Sequence, residues 1–227
     1  KRIIESRTLD AGSLVIEAAS NDGYMLKTFT EKGISVLGID PAEGPVKSAL
    51  ERGIPTLTTF FTETLAGQLK GEGKQADVFL ANNVLAHVPD LNGFVKGIKI
   101  LLKETGVAVI EVPYVADLVD HVEFDTIYHQ HLCYFSLTAL DRLFRRHSLY
   151  CNRIERVSIH GGSLRLFVEQ REAVSGAVQA LLAEERARRI ESIDFFQSFA
   201  TRVKSVKVEL LKILNSLKLQ GKSIAAY

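Results

Sequence analysis

The residues best suited to chemistry lie in the aromatic and histidine-rich stretch 123–134, which reads EFDTIYHQHLCY. This stretch holds Tyr128, His129 and His131 within four positions. A neutral imidazole can accept a proton near pH 7, and a tyrosine hydroxyl can stabilise a developing oxyanion. The combination suits the removal of a proton α to a carbonyl group. We therefore treat His131, Tyr128 and His129 as candidate catalytic residues.

Two other interpretations of this stretch stay open. His129, His131 and Cys133 alternate along the chain, so an extended backbone would place three possible metal ligands on one face. No fourth ligand or characteristic cysteine pair lies nearby, and we predict no metal. The second interpretation is structural, with the imidazole rings hydrogen-bonded inside the core.

A second candidate site follows the first apolar run of the chain. The run Leu14–Ile16 ends in Glu17, and small residues follow before an amphipathic helix that we predict from about Gly23 to Lys32. This is typical of a strand, a tight loop and a helix start, where ligands bind in an open α/β sheet. Asp40 closes the next apolar run, and a carboxylate there suits the two hydroxyls of a ribose.

The loop lacks the G-x-G-x-x-G spacing that brings a pyrophosphate against a helix. A nucleoside ligand without phosphates fits better, and S-adenosylmethionine is the commonest such cofactor on this architecture. The alternative is an ordinary βα turn. The predicted cofactor-binding residues are Glu17, Ala19, Ser20, Asn21, Gly23, Asp40, Pro41, Phe61, Asn82, Asn83 and His87.

Three further groups of residues belong to these predictions. Asn82, Asn83 and His87 follow a buried run, where amides can bind a cofactor's ribose or amino-acid end, although Asn83 could instead cap the next helix. Phe60 and Phe61 could sandwich an adenine or belong to the core. The sequence HGGSLR at 160–165 could bring backbone and an arginine to a phosphate, or form a hairpin turn with a surface arginine.

The elements that position these residues alternate between strand and helix five times up to Pro113. This alternation predicts a doubly wound, parallel α/β sheet. Two more strands, over 150–159 and 164–169, are predicted to end the sheet as a hairpin, and two long helices are predicted over 173–219. We expect a core domain over 1–170, a helical linker over 171–220, and the start of a following α/β domain over 221–227.

Composition excludes several classes of function. Basic and acidic residues nearly cancel, 28 against 27, so the chain lacks the charge excess of a nucleic-acid binder. The two cysteines form no disulfide framework, which favours a reducing cytoplasm. No apolar run approaches the ~20 residues of a membrane span. We therefore expect neither nucleic acid nor membrane as a partner.

Taken together, five segments resemble the sugar C-methyltransferases that make branched-chain deoxysugars for antibiotics and surface glycans. The resemblance covers about residues 12–170. The segments, in chain order, are residues 15–24, 38–42, 81–90, 123–136 and 160–165.

The resemblance implies a Rossmann-like class I methyltransferase sheet with S-adenosylmethionine as methyl donor and S-adenosylhomocysteine as product. The implied acceptor is a nucleotide-linked 4-keto-6-deoxyhexose, methylated at C3. His131 is the implied base for the C3 proton, with Tyr128 and His129 near the keto oxygen. The residues expected around the substrate are Tyr114, Gln130, His160, Gly161 and Arg165.

The sequence also departs from this family's pattern. The family usually has Glu where this chain has Gln130, which puts in question any role of that carboxylate in orienting the base. The family also has an N-terminal zinc-binding module and a second α/β domain, neither of which is found in this sequence. Two alternatives remain: an O- or N-methyltransferase of a small molecule, and an inactive methyltransferase-like scaffold that interacts through its long helices.

Overall fold

The computed structural model describes residues 2–225 as a seven-stranded sheet flanked by helices. Lys1, Ala226 and Tyr227 lie outside this range, and with the last two lies part of the segment predicted to begin a following α/β domain. The strands are β1 Leu14–Ala18, β2 Ser35–Asp40, β3 Thr56–Thr58, β4 Ala76–Asn82, β5 Leu102–Pro113, β6 Tyr150–Val157 and β7 Ser163–Glu169.

The strand order is β3-β2-β1-β4-β5-β7-β6. Strands β1 to β5 are parallel, and β7 is antiparallel to both β5 and β6. The order reverses beside β1, where chain crossovers leave a crevice at the carboxyl ends of the strands. The predicted doubly wound sheet with a terminal hairpin is thus confirmed.

The helices cover the two faces of the sheet unequally. We call the face of β1 that carries Ile16 and Ala18 the first face, and the opposite one the second face. The helices are α1 Arg2–Ser6, α2 Lys27–Thr30, α3 Glu43–Glu51, α4 Glu63–Gly71, α5 Leu91–Leu101, α6 Val115–His121, α7 Leu137–Arg146, α8 Gly176–Ala187, α9 Ile193–Gln197 and α10 Phe199–Leu219. Residues of α4, α5, α7 and α8 bury apolar side chains against the first face, and α1, α2 and α3 pack on the second.

Several predicted boundaries were wrong for local reasons. The helix predicted from Gly23 begins only at Lys27, because Asn21 and Gly23 have positive φ angles that a right-handed helix cannot contain. In α3, Val46 and Ala49 are buried and Leu50 is exposed. The segment 173–219 forms three helices rather than two.

The C-terminal helices are joined to the core by a buried carboxylate. Glu185 of α8 accepts hydrogen bonds from the backbone N–H groups of Leu137 and Thr138, each at 2.7 Å. These groups begin α7 and have no acceptor within that helix. Glu185 therefore caps α7 from another element, and α8 packs as part of the core. By contrast, α10 buries no residue.

Within the described residues, we find no helix that combines the length and the apolar character needed to cross a membrane.

Candidate active site

The loop after β1 is shaped by a carboxylate at the end of β2. Asp40 Oδ2 accepts a hydrogen bond from the backbone N–H of Asn21 at 3.0 Å, and Oδ1 accepts one from Ala42 at 2.8 Å. Ala19 and Asn21 have φ angles of 54° and 53°, so the chain turns sharply between these bonds. Asp40 is itself buried and fixes the loop beside its own strand end.

A cavity of about 580 Å³ opens next to this loop, on the first-face side of the sheet. This volume suits a cofactor of nucleoside size. Five of the predicted cofactor-binding residues line it, namely Ala19, Pro41, Phe61, Asn83 and His87. Of the remaining six, Ser20, Asn21, Gly23 and Asp40 form the adjoining loop and strand end, whereas Asn82 lines a groove on the second face and Glu17 is its hydrogen-bond partner.

Three buried polar atoms around the loop have no hydrogen-bond partner among the described residues. They are Glu17 Oε2, Ser20 Oγ and Asn83 Oδ1. Buried polar atoms normally have partners, so each is available to a bound polar ligand or water. Asn83 lines the cavity directly. Ser20 Oγ lies against Gly38, where a Cβ would overlap it, so this hydroxyl faces the neighbouring strand rather than the cavity.

Of the residues around the loop, Glu17 has the most strongly shifted pKa. Burial raises the pKa of Glu17 to about 8, and a hydrogen bond with Asn82 acts in the opposite direction. The carboxyl group is therefore mostly neutral at pH 7 in the unliganded protein. A cationic group placed beside it would favour the charged carboxylate.

The two phenylalanines predicted to contact the adenine, Phe60 and Phe61, differ in their exposure. Phe61 is nearly buried and packs with Phe79 and Phe94, at ring-centroid distances of 4.8 and 5.1 Å. Phe60 also lines the cavity but is 70% exposed. Phe61 thus belongs to the core wall, and Phe60 is the ring free to cover a ligand.

The histidine-rich stretch folds into a compact loop held by backbone carbonyls. His131 Nδ1 lies 2.8 Å from the carbonyl oxygen of Thr126, and His131 Nε2 lies 3.0 Å from the hydroxyl of Tyr128. Because a carbonyl oxygen only accepts, Nδ1 carries a proton, and the lone pair of the neutral imidazole is on Nε2. The geometry therefore places the nitrogen that can act as a base next to a phenol.

This loop contacts the cavity through His87. The Nδ1 atom of His87 lies 2.9 Å from the carbonyl oxygen of Gln130, and the backbone N–H of Leu132 donates to Ala86 at 2.8 Å. The imidazole rings of His87 and His131 are 4.9 Å apart, centre to centre. Since His87 lines the cavity with Pro41, the structure brings His131 to the same side of the sheet as the Asp40 strand end.

The other candidate residues of this stretch are more peripheral. His129 is exposed, and its ring centre lies 6.5 Å from that of Tyr128. The side chain of Gln130 is exposed. Among the described residues, no group of three or more His, Cys, Asp or Glu side chains is placed to hold a metal ion, so the metal interpretation of His129, His131 and Cys133 gains no support.

Two residues predicted to contact the substrate, Tyr114 and Arg165, have side chains that are engaged within the protein. Tyr114 is 1% exposed and lies beneath the guanidinium of Arg156, so its side chain is in the protein interior. Burial, together with the nearby Glu185 carboxylate, raises the pKa of Tyr114.

Arg165 donates through Nε and Nη2 to Glu111 Oε2, at 3.0 and 2.8 Å, and lines a groove on the second face of the sheet. Its guanidinium is thus already used in an ion pair.

The turn His160–Gly161–Gly162 closes the far edge of the histidine loop. A Cβ at Gly161 would overlap the Glu123 carboxylate, and one at Gly162 would overlap Asp117. Gly161 has a φ of 78°, which only glycine adopts without cost. The turn therefore packs tightly against the start of the histidine-rich stretch, and His160 is exposed within it.

Comparisons with known proteins identify the family. A family model described as a methyltransferase domain matches residues 2–151, and a second, described as the C-methyltransferase C-terminal domain, matches residues 158–227. The C-methyltransferase NovU of Streptomyces niveus is 33% identical over 227 residues, 99% of this chain and 54% of that protein. The chain belongs to the methyltransferase-domain family.

More distant similarities extend to other methyltransferases. A ubiquinone biosynthesis O-methyltransferase of Pasteurella multocida is 30% identical over 42% of this chain and 44% of its own length. The chain therefore spans about half the length of the curated relatives it matches.

Among solved structures, a Burkholderia thailandensis 1,6-didemethyltoxoflavin-N1-methyltransferase with bound S-adenosylhomocysteine superposes with a TM-score of 0.57 at 19% identity, covering 75% of this chain and 76% of that one. At this identity the similarity shows a shared fold, which is the α/β methyltransferase architecture.

Proposed function

We propose that this chain uses S-adenosylmethionine to methylate C3 of a nucleotide-linked 4-keto-6-deoxysugar. The observation that carries the proposal is the pairing of His131 Nε2 with the Tyr128 hydroxyl at 3.0 Å, next to a cofactor-sized cavity. A base and a hydrogen-bond donor this close can contact an α-proton and the carbonyl oxygen on the neighbouring carbon at the same time.

The residues around the cavity fit the cofactor. Asp40 lies at the strand end where a carboxylate can accept from both ribose hydroxyls, while Pro41 and Phe60 offer apolar surface to the adenine. Asn83 Oδ1 and Glu17 Oε2 are buried acceptors without partners, which suits the ammonium group of the amino-acid end. S-adenosylmethionine would supply the electrophilic methyl group.

The chain's own part of the reaction is proton removal and charge stabilisation. His131 Nε2 takes the C3 proton, and the positive charge that develops is held by the Nδ1–H bond to the Thr126 carbonyl. The sugar displaces the Tyr128 hydroxyl from Nε2, so this hydroxyl can donate to the developing enolate oxygen. His129 lies on the solvent side, where it can contact the same oxygen or a neighbouring hydroxyl.

The proposal also covers the nucleotide part of the substrate, the cellular compartment and the division of the chain into segments. We also propose that the nucleotide portion of the substrate binds near the His160–Gly161 turn, and a cytoplasmic setting is supported by the two free cysteines, Cys133 and Cys151. The segmentation into a core, a helical linker up to 220 and a following domain from 221 is also part of the proposal, with α8 counted in the core because it packs there.

The decisive experiment incubates the protein with a nucleotide-linked 4-keto-6-deoxyhexose and S-adenosylmethionine carrying a ¹³C-labelled methyl group. A ¹³C methyl signal coupled to a sugar carbon supports the proposal. A methyl signal on oxygen or nitrogen would instead establish an O- or N-methyltransferase. If no methyl group is transferred and calorimetry detects no binding of S-adenosylhomocysteine to folded protein, the scaffold alternative is correct.

A further inference from the structure

The carbonyl oxygen of Thr126 is shared by two side chains of the histidine-rich stretch. It accepts from His131 Nδ1 at 2.8 Å and from the Tyr134 hydroxyl at 3.3 Å. The ring of Tyr134 also meets the His131 imidazole edge-on, with centres 5.9 Å apart and planes at 85°. Tyr128 lies closer, at 4.2 Å and 38°, so the imidazole is packed between two tyrosines.

The shared carbonyl is itself held in place. Both the hydroxyl and the backbone N–H of Thr126 donate to the carbonyl oxygen of Glu123, at 2.8 and 3.2 Å. Thr126, His131 and Tyr134 are half-buried in a segment where Phe124, Ile127 and Leu132 are each about half exposed. Thr126, which supplies the acceptor for the imidazole, is thus held by two hydrogen bonds within an otherwise exposed loop.

Tyr134 has the chemistry needed for a persistent donor. Burial raises the pKa of Tyr134, so its hydroxyl keeps its proton throughout the physiological range. A carbonyl oxygen has two lone pairs and can accept both bonds at once. The edge-on ring adds a steric limit to rotation of the imidazole about its Cβ–Cγ bond, beside the limit set by the Nδ1 hydrogen bond.

The adjacent side chain does not supply this orientation. Gln130 directly precedes His131, but its side chain is exposed, and its backbone carbonyl is used by His87. The Nδ1–H group of a histidine is often held by a backbone carbonyl or by a carboxylate, and here a backbone oxygen is the acceptor.

We infer that Tyr134 is a positioning residue for His131. Its hydroxyl, bound to the Thr126 carbonyl, holds its ring edge-on against the imidazole, and this packing keeps His131 in the orientation in which Nδ1 donates to that carbonyl and Nε2 carries the lone pair. The structural part of this inference concerns the unliganded protein, while its effect on turnover rests on the proposed function. Neither part requires Tyr134 to touch substrate or cofactor.

The test compares Tyr134→Phe and Tyr134→Leu with Tyr150→Phe, which removes a hydroxyl from a strand residue outside the site. Long-range ¹H–¹⁵N NMR on the unliganded protein reports which nitrogen of His131 carries the proton. We expect a single Nδ1-protonated form in the parent and in Tyr150→Phe, and a mixture of tautomers in both Tyr134 variants. Turnover should fall about 3- to 10-fold in Tyr134→Phe and further in Tyr134→Leu, with the KM for the sugar nearly unchanged.

The outcomes separate the two proposals. An unchanged His131 tautomer in Tyr134→Phe would overturn the inference, and this variant keeps the ring if Tyr134→Leu fails to fold. A mixed tautomer in a protein whose parent form methylates no sugar would support the positioning role and refute the proposed function. A larger KM at constant kcat would show that Tyr134 contacts substrate instead.

Discussion

The imidazoles of His87 and His131 lie 4.9 Å apart although they come from different elements, one after β4 and the other in the loop after α6. Each has its Nδ1 atom against a backbone carbonyl oxygen, that of Gln130 for His87 and that of Thr126 for His131. In the neutral form of each ring, Nε2 is therefore the nitrogen with the lone pair. This relationship joins the cofactor-sized cavity to the candidate base.

Replacing the candidate base should reduce turnover without affecting the cofactor. His131→Asn removes the nitrogen that accepts the proton, and a positioned base is typically worth about 10²- to 10⁴-fold. We expect turnover to fall by about this factor, while calorimetry shows an affinity for S-adenosylhomocysteine close to that of the parent. His147→Asn is the matched control, since His147 bonds to Asn92 outside the site. Normal turnover in His131→Asn would exclude His131 as the base.

Asp40 should affect cofactor binding far more than the chemical step. Asp40→Asn replaces one acceptor oxygen with a donor, which opposes the N–H group of Asn21 or Ala42 and removes the charge offered to a ribose. We expect S-adenosylhomocysteine to bind about 10-fold or more weakly by calorimetry. Asp194→Asn, at an exposed ion pair, is the control. Equal affinities for Asp40→Asn and the parent would show that the ribose is bound elsewhere.

Glu17 should make stability depend on pH in a definite direction. Its pKa is about 8 in the folded protein against a usual 4.5, so between these values the folded state holds a proton that the unfolded chain has lost. The contribution of this group to stability is therefore complete below pH 4.5 and is lost as the pH rises to about 8. Each pKa unit of difference corresponds to about 1.4 kcal/mol.

Glu17→Gln removes this titration and tests its sign. Relative to the parent, the variant should gain stability between pH 5 and pH 8, measured as urea unfolding midpoints. Glu31→Gln, an exposed residue at the end of α2, should show no such gain. Parallel curves for Glu17→Gln and the parent would mean that Glu17 ionises normally in the folded protein.

Glu185 should be important for the stability of the whole domain. Glu185→Ala leaves two backbone N–H groups at the start of α7 and the Thr138 hydroxyl without their acceptor, inside the protein. We expect a loss of about 2–3 kcal/mol in the free energy of unfolding by chemical denaturation. Glu184→Ala changes the neighbouring carboxylate, which makes only a 3.6 Å ion pair with Arg188, and should cost less than about 0.5 kcal/mol. Equal losses would show that the cap contributes little.

The sequence predicts the sheet well because its signals are local. The alternation of strands and helices, the carboxylates at the ends of β1 and β2, and the position of the histidine-rich stretch all follow from residues a few positions apart. The helix predicted from Gly23 was wrong for a local reason too, since positive φ angles at Asn21 and Gly23 keep the chain in turns until Lys27.

Side-chain direction at the edge of the sheet could not be predicted in the same way. Arg165 points to the second face and pairs with Glu111 because β7 lies antiparallel to β5 in a register that sets these two residues opposite each other. A shift of one residue would reverse the face. Tyr134 lay inside the stretch singled out by composition, but its three-residue spacing from His131 indicates a shared acceptor only once the loop is folded.

The amino-acid order by itself thus determined the strand-and-helix alternation, the acidic strand ends and the set of side chains able to move a proton, because these depend on neighbours along the chain. Tertiary structure alone decided that His131 reaches the cavity through His87, that Tyr114 lies in the interior, and that Glu185 caps a helix 47 or more positions away. The physical reason is that strand register and an aperiodic loop are fixed by contacts between distant segments, which periodicity does not encode.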